Sequence, residues 1–411
     1  MSMKKIIKHL NDTINSARQT KLYANKLDGV TEINRIEQIQ DLPFTSKEDL
    51  RKTYPFGGLS IGTEHIVEMH TSSGTTGKPT LSFFSKKDLE ESSKALSIAW
   101  NNFGISKKSR VQMMMSYGLF SGAALNTYAM QSLGAFVIPA GIQPTIKQIE
   151  MLKDFKVDSI VATPSYYLHL YDVMILNDIK ISSLNLKIGI AAGEVYTNEL
   201  KHKIEKLFDI RVFDHYGLCE INTGIIYECK VCGRMAVIKD YTYVEVIDPD
   251  TGKLLPDGSY GELVITSLKK EASPVIRYRT GDISKIITRK SKCINCKGSI
   301  VIDRIKNRTD STIFYKGLKL NPSELKDDII IFSNNKIINR IKIKAYYKEE
   351  ICTRIKIIIA LQSITDGKFV EELQNYLKNK VKVKFDIEVV PANYFKDFSV
   401  TKDKLVESIY E

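Results

Sequence analysis

The chain has 411 residues, of which 43% are hydrophobic and 26% are charged, so its composition is that of an ordinary globular protein. This length predicts about two or three domains, and because no apolar run approaches the ~20 residues of a membrane span, we expect no membrane segment. The net charge of +12 raises the question of nucleic-acid binding, but no nucleic-acid-binding module is recognisable and we expect no nucleic-acid partner.

The amino-terminal segment predicts polar helical structure. Residues 1–10 are basic but lack the apolar stretch of a secretory signal, so we expect a cytoplasmic protein. Residues 42–50, LPFTSKEDL, place hydroxyl side chains ahead of acidic ones. This pattern is typical of a helix start with Thr45 or Ser46 as the N-cap.

Residues 71–80, TSSGTTGKPT, have the composition of a polyphosphate-binding loop. They follow residues 66–70, which predict a strand. The glycines let backbone N–H groups turn inward, the hydroxyls add donors, and Lys78 adds positive charge. The glycine spacing and the proline after Lys78 exclude a Walker loop, and a ligand-free Ser/Thr/Gly-rich turn is the alternative. The candidate phosphate-binding residues are Ser72, Ser73, Gly74, Thr75, Thr76, Gly77 and Lys78.

Short apolar runs alternate with amphipathic helices between about residues 66 and 215, which predicts βαβ units and a parallel sheet. Beyond about residue 235 the pattern changes to β-hairpins. We therefore predict an α/β fold. Its large domain, residues 1–309, combines parallel sheets flanked by helices with a β-rich subdomain, and residues 310–411 form a small mobile α+β domain. In that small domain, lysines alternate with Ile and Val in residues 340–344 and 378–384, which predicts half-buried strands.

Four of the six cysteines form two C-x-x-C pairs. Each such turn presents two thiolates to one ion, and two turns complete a tetrahedral zinc site. A disulfide framework is disfavoured in a reducing cytosol, and neither pair lies in a thioredoxin-like setting. We expect structural Zn²⁺, with two unconnected reduced pairs as the alternative; the candidate ligands are Cys229, Cys232, Cys293 and Cys296.

Two motifs after the loop have the chemistry of a nucleotide site. Residues 192–194, AGE, follow a predicted strand and place backbone where a nucleotide base can contact it. In residues 214–220, DHYGLCE, Tyr216 can stack on a purine and Gly217 leaves room for a substrate. Glu220 can hold Mg²⁺ against phosphates.

Two more motifs follow in the same order. Residues 277–282, RYRTGD, are predicted to end a strand, and Asp282 can accept hydrogen bonds from both ribose hydroxyls. Residues 304–310, RIKNRTD, lead to residues 316–325, KGLKLNPSEL. Each motif alone has an ordinary explanation as a turn or a surface ion pair, but together and in this order they are not explained by chance.

The motifs resemble those of the acyl-adenylate-forming superfamily, and more narrowly those of its phenylacetate–CoA ligase branch. The resemblance extends over essentially the whole chain, with matching segments at residues 42–51, 72–80, 117–120, 163–166 and 270–282. It implies that a carboxylate, expected to be aromatic, attacks the α-phosphate of ATP to give acyl-AMP and pyrophosphate. A thiol, expected to be that of coenzyme A, then takes the acyl group.

The resemblance also implies roles for matching residues. The loop would hold the β- and γ-phosphates, with Mg²⁺ at Glu220 offsetting their charge. Gly193, Asp214 and Tyr216 would hold adenine, and Asp282 and Arg308 would hold ribose and the α-phosphate. Glu194 and Gly217 would belong to the same ATP/AMP-binding site. Lys402 would bridge the carboxylate and the α-phosphate, with Lys404 as its rival. The small domain would rotate about Asp310 and open a thiol tunnel past Gly317.

The acid pocket is expected at Tyr117, Phe120, Tyr166 and Ala192, for which ordinary core packing is the alternative. The chain departs from the family pattern at Asn307, Ser311, Thr401 and Cys219, which leaves the acceptor open. An acyl-carrier-protein thiol, an amine or a hydroxyl is the second hypothesis, and a catalytically silent nucleotide-binding protein is a remote one. A homodimer is compatible with the sequence.

Overall fold

A computed structural model of the chain describes residues 3–72, 78–308, 313–316, 318–333, 338–349, 351–361, 367–391, 394 and 405–410. Its helices are α1 (Met3–Ala17), α2 (Lys47–Lys52), α3 (Lys86–Phe103), α4 (Ser121–Ser132), α5 (Thr145–Asp154), α6 (Pro164–Leu176), α7 (Asn198–Phe208), α8 (Pro322–Phe332) and α9 (Gly367–Val381). Short 3₁₀ helices lie at Ile36–Asp41, Thr63–His65 and Ile181–Ser183. Among the described residues, no helix has the length and apolar character needed to cross a membrane.

The strands up to the middle of the chain are β1 (Ile66–Thr71), β2 (Leu81–Ser85), β3 (Arg110–Met113), β4 (Phe136–Ile138), β5 (Ser159–Ala162), β6 (Ile188–Ala192), β7 (Arg211–Leu218), β8 (Asn222–Glu228), β9 (Met235–Val237), β10 (Thr242–Ile247) and β11 (Gly261–Ser267). They are followed by β12 (Tyr278–Ser284), β13 (Ile286–Thr288), β14 (Val301–Ile302), β15 (Asn307–Arg308), β16 (Ile313–Tyr315), β17 (Leu318–Leu320), β18 (Ile338–Lys348), β19 (Ile351–Leu361), β20 (Asp386–Pro391) and β21 (Val406–Tyr410).

A nine-stranded mixed sheet has the order β13-β14-β9-β8-β7-β6-β5-β3-β4. Strands β3 to β7 pair in parallel, and the pairing becomes antiparallel from β7 to β8. Helices α3 and α4 cover one face around Trp100, and α5, α6 and α7 cover the other around Tyr167 and Phe208. Because both faces are covered, the central parallel strands β5 and β6 are short and largely apolar, and every residue of β5 is buried. The predicted parallel sheet is confirmed.

The predicted helix start near residue 45 is confirmed at α2. The Ser46 hydroxyl accepts a hydrogen bond of 3.1 Å from the backbone N–H of Asp49. The Asp49 carboxylate accepts one of 2.7 Å from the Ser46 N–H, which completes a reciprocal capping box. The preceding 30 residues are largely turns and 3₁₀ helix rather than the helices expected there.

The predicted hairpins beyond residue 235 form a second, four-stranded antiparallel sheet in the order β10-β11-β12-β15. The sequence placed the motif of residues 277–282 at the end of a strand, and this placement is wrong. Strand β12 starts at Tyr278 and continues through Asp282 to Ser284, because β15 pairs alongside it at Asp282 and Arg308. Both side chains are thereby brought to one position in the sheet.

The carboxy-terminal part of the chain forms a sheet in the order β17-β16-β19-β18-β21, with β20 beside β19. The half-buried strand predicted over residues 340–344 is confirmed, since Ile341 and Ile343 are buried while the neighbouring lysines are partly exposed. The strand predicted over residues 378–384 is wrong in its first half. Helix α9 continues to Val381, because Leu373 and Leu377, one helical turn apart, are both fully buried.

Candidate active site

The carboxyl ends of β5, β6 and β7 lie side by side at one edge of the nine-stranded sheet. The segments that follow or form these ends are residues 163–166, 192–194 and 214–217, each of which contains a residue that the sequence assigned to substrate binding. In open parallel sheets, ligands bind in the crevice outside the carboxyl ends of the strands. Gly193 has φ of 85°, a conformation that side-chain-bearing residues rarely adopt, which explains a glycine at this turn.

Asp282 joins this edge to the four-stranded sheet. One oxygen of its buried carboxylate accepts a hydrogen bond of 2.6 Å from the Tyr216 hydroxyl. The other accepts one of 2.8 Å from Nη1 of Arg308. Burial and the neighbouring carboxylate raise the pKa of Tyr216, so its hydroxyl stays protonated and donates. A carboxylate oxygen can accept more than one hydrogen bond, so Asp282 has the chemistry of an acceptor for a diol.

Glu220 lies at the described ends of the predicted phosphate loop. Its Oε1 accepts a hydrogen bond of 2.8 Å from Thr80, whose hydroxyl lies 2.5 Å from that of Ser72. The antiparallel pairing of β1 with β2 brings Ser72 and Thr80 together. Lys78 lies with its Nζ 5.2 Å from the ring centroid of Tyr54. One carboxylate among hydroxyls is the type of donor set with which Mg²⁺ binds together with substrate phosphates.

Lys270 supports the Glu220 segment, and the sequence analysis gave it no role. Its buried ammonium donates to the backbone carbonyl of Glu220 at 3.2 Å and to the Ser82 hydroxyl. Burial lowers its pKa to about 8. The ring of Phe84 lies 4.4 Å from the ammonium. Its place at the start of the matching segment, residues 270–282, is the sequence signal that could have indicated this function.

Asp214 belongs to a buried charge network. Its carboxylate lies 3.3 Å from Nη2 of Arg304, and the same guanidinium nitrogen donates to Glu228 at 2.7 Å. Lys201 from α7 pairs with the other oxygen of Glu228. Burial raises the pKa of Asp214, and Arg304 opposes that shift. The carboxylate of Asp214 is therefore engaged inside the protein, and the sequence analysis missed Glu228 and Lys201 because no motif contains them.

Gly217 has a structural explanation that the sequence did not provide. A Cβ atom there would lie 2.1 Å from the backbone nitrogen of Gly224 and 2.5 Å from Thr223. The glycine therefore permits the close approach of β7 and β8, whereas the sequence analysis attributed it to space for a substrate. His215 beside it is buried against Trp100, and burial lowers its pKa to about 4.

The carboxylate of Glu194 points to the start of α6. It accepts hydrogen bonds from the backbone N–H of Ser165 at 3.2 Å and from the Ser165 hydroxyl. It also lies 3.5 Å from Nζ of Lys326 in α8. Burial favours the neutral form, but Lys326 and Ser165 together lower the pKa of Glu194 below its usual value. Glu194 is thus held as an anion between two helices.

The four residues predicted for the acid pocket lie at or after the carboxyl ends of β3, β5 and β6. Tyr166 is buried with its hydroxyl 3.4 Å from that of Thr145, while half-buried Tyr117 bonds Thr127 at 2.6 Å. Tyr166 packs with the helices on one face of the sheet and Tyr117 with those on the other. Phe120 and Ala192 are half-buried. The pocket stays a prediction.

The two cysteine pairs come together at the tips of the β8–β9 and β13–β14 connections. All four Sγ atoms lie within 4.8 Å of one another, with Cys229 and Cys293 at 3.7 Å and Cys232 and Cys296 at 3.8 Å. These distances exceed a disulfide bond, whereas four sulfurs at ~2.3 Å from a tetrahedral zinc ion are about 3.8 Å apart. The arrangement fits zinc. Gly233 has φ of 67° at the bend after the second thiol of the first pair.

Several predicted site residues lie outside the residues that the structure describes. They are Ser73, Gly74, Thr75, Thr76 and Gly77 of the loop, the hinge residue Asp310, the tunnel residue Gly317, and the rival lysines Lys402 and Lys404. Their roles remain predictions.

Comparison with known proteins identifies the family. A family model described as AMP-binding enzyme matches residues 9–268. A phenylacetate-coenzyme A ligase from Pseudomonas putida is 35% identical over 326 residues, which cover 79% of this chain and 73% of that protein. The chain belongs to the AMP-binding enzyme family. The predicted resemblance and the predicted enzyme class, an AMP-forming acid–thiol ligase, are confirmed.

Solved structures with this fold include two states of a single ligase. The crystal structure of 2-hydroxyisobutyryl-CoA ligase in the postadenylation state with R3-HIB-AMP has a TM-score of 0.89, with 20% identity over 99% of this chain and 89% of that one. The same ligase with 2-HIB-AMP and CoA in the thioesterification state has a TM-score of 0.73, with 21% identity over 100% and 90% of the two chains. The predicted α/β fold of this AMP-binding enzyme is confirmed.

Proposed function

We propose that this AMP-binding enzyme activates an aromatic carboxylic acid as its acyl-AMP, releases pyrophosphate, and transfers the acyl group to coenzyme A. The observation that supports it most is the cluster of Tyr216, Asp282 and Arg308 at the carboxyl edge of the parallel strands. It combines a diol acceptor and a phosphate-binding cation next to the segment of Glu220.

In the proposed first half-reaction, the acid carboxylate attacks the α-phosphate of ATP, and the bond from that phosphorus to the bridging oxygen of pyrophosphate breaks. Asp282 holds the ribose hydroxyls and Arg308 offsets the charge on the α-phosphate. The protein acts by position and electrostatics and forms no covalent intermediate. Lys402, or Lys404 in its place, bridges the attacking carboxylate and the phosphate.

Magnesium is part of the proposal because the donor set at Glu220 suits it. The buried Glu220 carboxylate and the hydroxyl of Thr80 would hold the ion beside the loop. When bound, Mg²⁺ would neutralise charge on the β- and γ-phosphates. Lys270 fixes the backbone of Glu220, so the carboxylate is held in position before ATP arrives.

The aromatic acid is proposed from similarity. The Pseudomonas putida relative is named for phenylacetate and matches four-fifths of this chain at 35% identity. Our candidates for the acid pocket lie at or after strand ends at the candidate site; they are Tyr117, Phe120, Tyr166 and Ala192. An apolar slot with few polar groups suits an aromatic monoacid.

We also propose two domains with a boundary near Asp310, and a rotation of residues 310–411 between the half-reactions. The higher TM-score to the postadenylation state, 0.89 against 0.73, supports an arrangement of the two parts like that of the ligase holding its acyl-adenylate. A carrier-protein thiol, an amine or a hydroxyl remains the second candidate acceptor, because Asn307 and Thr401 depart from the family pattern. We retain the cytoplasm as the proposed location.

Zinc is proposed as a structural ion at the four cysteines. Cys229 and Cys232 come from one connection and Cys293 and Cys296 from the other, so one ion would join both. No step of the reaction involves it.

The test is AMP release from ATP with phenylacetate, benzoate, hexanoate and acetate, each with and without coenzyme A. We expect coenzyme-A-dependent AMP release with the aromatic acids and the matching thioester by mass spectrometry. Acid-dependent pyrophosphate release without any thioester would show that the acceptor is a group other than coenzyme A. Inactivity with aromatic acids alongside activity with the alkyl acids would overturn the proposed substrate class.

A further inference from the structure

Helix α8 of the carboxy-terminal part contacts the amino-terminal part beside the candidate nucleotide loop. Lys326 places its ammonium 3.5 Å from Glu194, the residue after Gly193. The adjacent Asp327 accepts a hydrogen bond of 2.7 Å from the backbone N–H of Thr197. Two successive side chains of one helix thus reach both ends of a four-residue segment, residues 194–197.

Both contacts involve the amino-terminal end of a helix. Thr197 is the N-cap of α7, where a backbone N–H has no partner within the helix, and Asp327 supplies the acceptor. Glu194 in turn accepts from the Ser165 N–H in the first turn of α6. Carboxylates at helix starts are stabilised by the helix dipole, and Lys326 neutralises charge where the two acids approach.

The interface around these contacts is packed. Ile329 and Ile330 of α8 are buried in one hydrophobic cluster with Ile204 and Phe208 of α7. Lys203 of α7 donates to the backbone carbonyl of Ile330 at 2.9 Å. Because Asp327 is itself fully buried, its charge is not a solvated surface group. The carboxylate has been placed at α7 by the docking of α8.

We infer that Lys326 and Asp327 are positioning residues that couple the docking of α8 to the conformation of the nucleotide loop at Gly193 and Glu194. When α8 is docked, the loop between β6 and α7 is held at both ends. When α8 leaves, Glu194 loses its cation and the Thr197 N–H loses its acceptor. Nucleotide bound at Gly193 and the docked α8 therefore stabilise each other, since such coupling is reciprocal.

This inference rests on the proposed function, because it takes Gly193 as part of the nucleotide site. It adds a specific connection that the adenylation chemistry does not require. Glu194, which the sequence assigned to nucleotide binding, acts through α6 and α8 instead of through direct contact with the base.

The chain offers a matched pair of control residues. Asp328, next to Asp327 on α8, pairs at 2.5 Å with Lys380 of α9 inside the carboxy-terminal part. Asp328→Ala and Lys380→Met remove the same groups as Asp327→Ala and Lys326→Met without touching the interface. Asp327→Asn keeps an oxygen that can accept from Thr197 and serves as the conservative variant.

The experiment is hydrogen exchange of the full chain followed by mass spectrometry, with and without saturating AMP, alongside calorimetric measurement of AMP binding. In the wild type and both controls, AMP should slow exchange in residues 322–332 and 194–200 at least threefold. Lys326→Met and Asp327→Ala should lose most of this slowing in residues 322–332 and bind AMP about tenfold more weakly, whereas Asp327→Asn should retain it.

The outcomes separate this inference from the proposed function. If AMP binds the wild type but exchange in residues 322–332 does not change, or changes equally in Lys326→Met, the coupling is refuted while the nucleotide site stands. If AMP does not bind the wild type, the nucleotide site itself fails, and the coupling with it. If Asp328→Ala weakens AMP binding as much as Asp327→Ala does, the effect is a general destabilisation of the protein. That result would also refute the coupling.

Discussion

Tyr216 donates a hydrogen bond of 2.6 Å to the buried carboxylate of Asp282, across 66 residues of sequence and between two different sheets. The bond connects the carboxyl edge of the nine-stranded sheet to the second strand from the end of the four-stranded sheet. Arg308 completes the arrangement from the neighbouring strand. The groups proposed to bind adenine, ribose and phosphate are thus set relative to each other by backbone pairing.

Asp282→Asn is expected to weaken ATP use without unfolding the protein. The amide cannot accept from Arg308, from Tyr216 and from two ribose hydroxyls as a carboxylate does. We expect kcat/KM for ATP to fall at least tenfold, about 1.4 kcal/mol or more in transition-state stabilisation. Tyr216→Phe should cost less, and Tyr260→Phe, which removes a partly exposed hydroxyl bonded to Asp303, should behave as wild type. Unchanged ATP kinetics in Asp282→Asn would remove Asp282 from the site.

Glu220→Gln is expected to alter the magnesium requirement. A neutral amide binds a hard divalent cation more weakly than a carboxylate, so half-maximal activity should need about tenfold more Mg²⁺. The measurement is acyl-AMP formation against Mg²⁺ concentration at fixed ATP. Glu388→Gln, in an exposed pair with Lys356, is the control. Superimposable Mg²⁺ curves for Glu220→Gln and wild type would contradict the assignment.

Separate assays of the two half-reactions distinguish the rival lysines Lys402 and Lys404. Lys402→Ala should reduce acyl-AMP formation by at least about 100-fold, because a cation between two anions is lost. It should spare thioester formation from supplied acyl-AMP. Lys404→Ala should change neither step by more than about threefold. The reverse pattern would assign the adenylation role to Lys404, and no effect of Lys402→Ala would exclude Lys402.

The zinc proposal predicts about one metal ion per chain in protein purified without chelators, since two C-x-x-C turns form one closed site. Cys229→Ser combined with Cys293→Ser should abolish that metal and lower the free energy of unfolding by several kcal/mol. Cys352→Ser, at a buried cysteine of the carboxy-terminal sheet, is the control for metal content. Metal-free protein of undiminished stability would contradict the site.

The buried carboxyl group of Asp172 is expected to make the free energy of unfolding depend on pH. It is buried in α6 with one carboxylate oxygen that has no hydrogen-bond partner, and burial raises its pKa from 3.8 to about 8, opposed by Lys203. The folded state therefore holds its proton more tightly than the unfolded state, so this group's contribution to stability falls as pH rises from about 4 to 8. Asp172→Asn should raise the midpoint of thermal unfolding at pH 8 by about 2 °C or more, and the difference should shrink toward pH 5. A constant difference between the two curves across this range would show that Asp172 is not the titrating group.

Local patterns in the sequence predicted much of the fold. Continuous apolar runs predicted the parallel strands, and hydroxyl residues before acids predicted the cap of α2 at Ser46. The lysine alternation in residues 378–384 predicted a strand incorrectly, because the buried stripe of Leu373 and Leu377 continues α9 through its first half. An alternation of lysines with apolar residues over so short a segment is a weaker determinant of structure than the burial of leucines one helical turn apart.

The site was partly predictable for a different reason. Motifs identified Glu220, Asp282 and Arg308 as candidates, because groups that meet a substrate commonly occur in compact sequence signatures. The supporting function of the buried residues behind them has no such signature. Lys270 and the network of Glu228 and Lys201 depend on burial and on partners far away in sequence, and only the assembled structure reveals them.

The central claim is that this chain makes acyl-AMP, and ATP–pyrophosphate exchange tests it most directly because it needs no acceptor. Labelled pyrophosphate should enter ATP only when phenylacetate or a related aromatic acid is added. Asp282→Asn should reduce that exchange at least tenfold, about 1.4 kcal/mol or more. Exchange that does not depend on any added acid, or none with the full acid panel in metal-replete wild-type protein, would contradict the account.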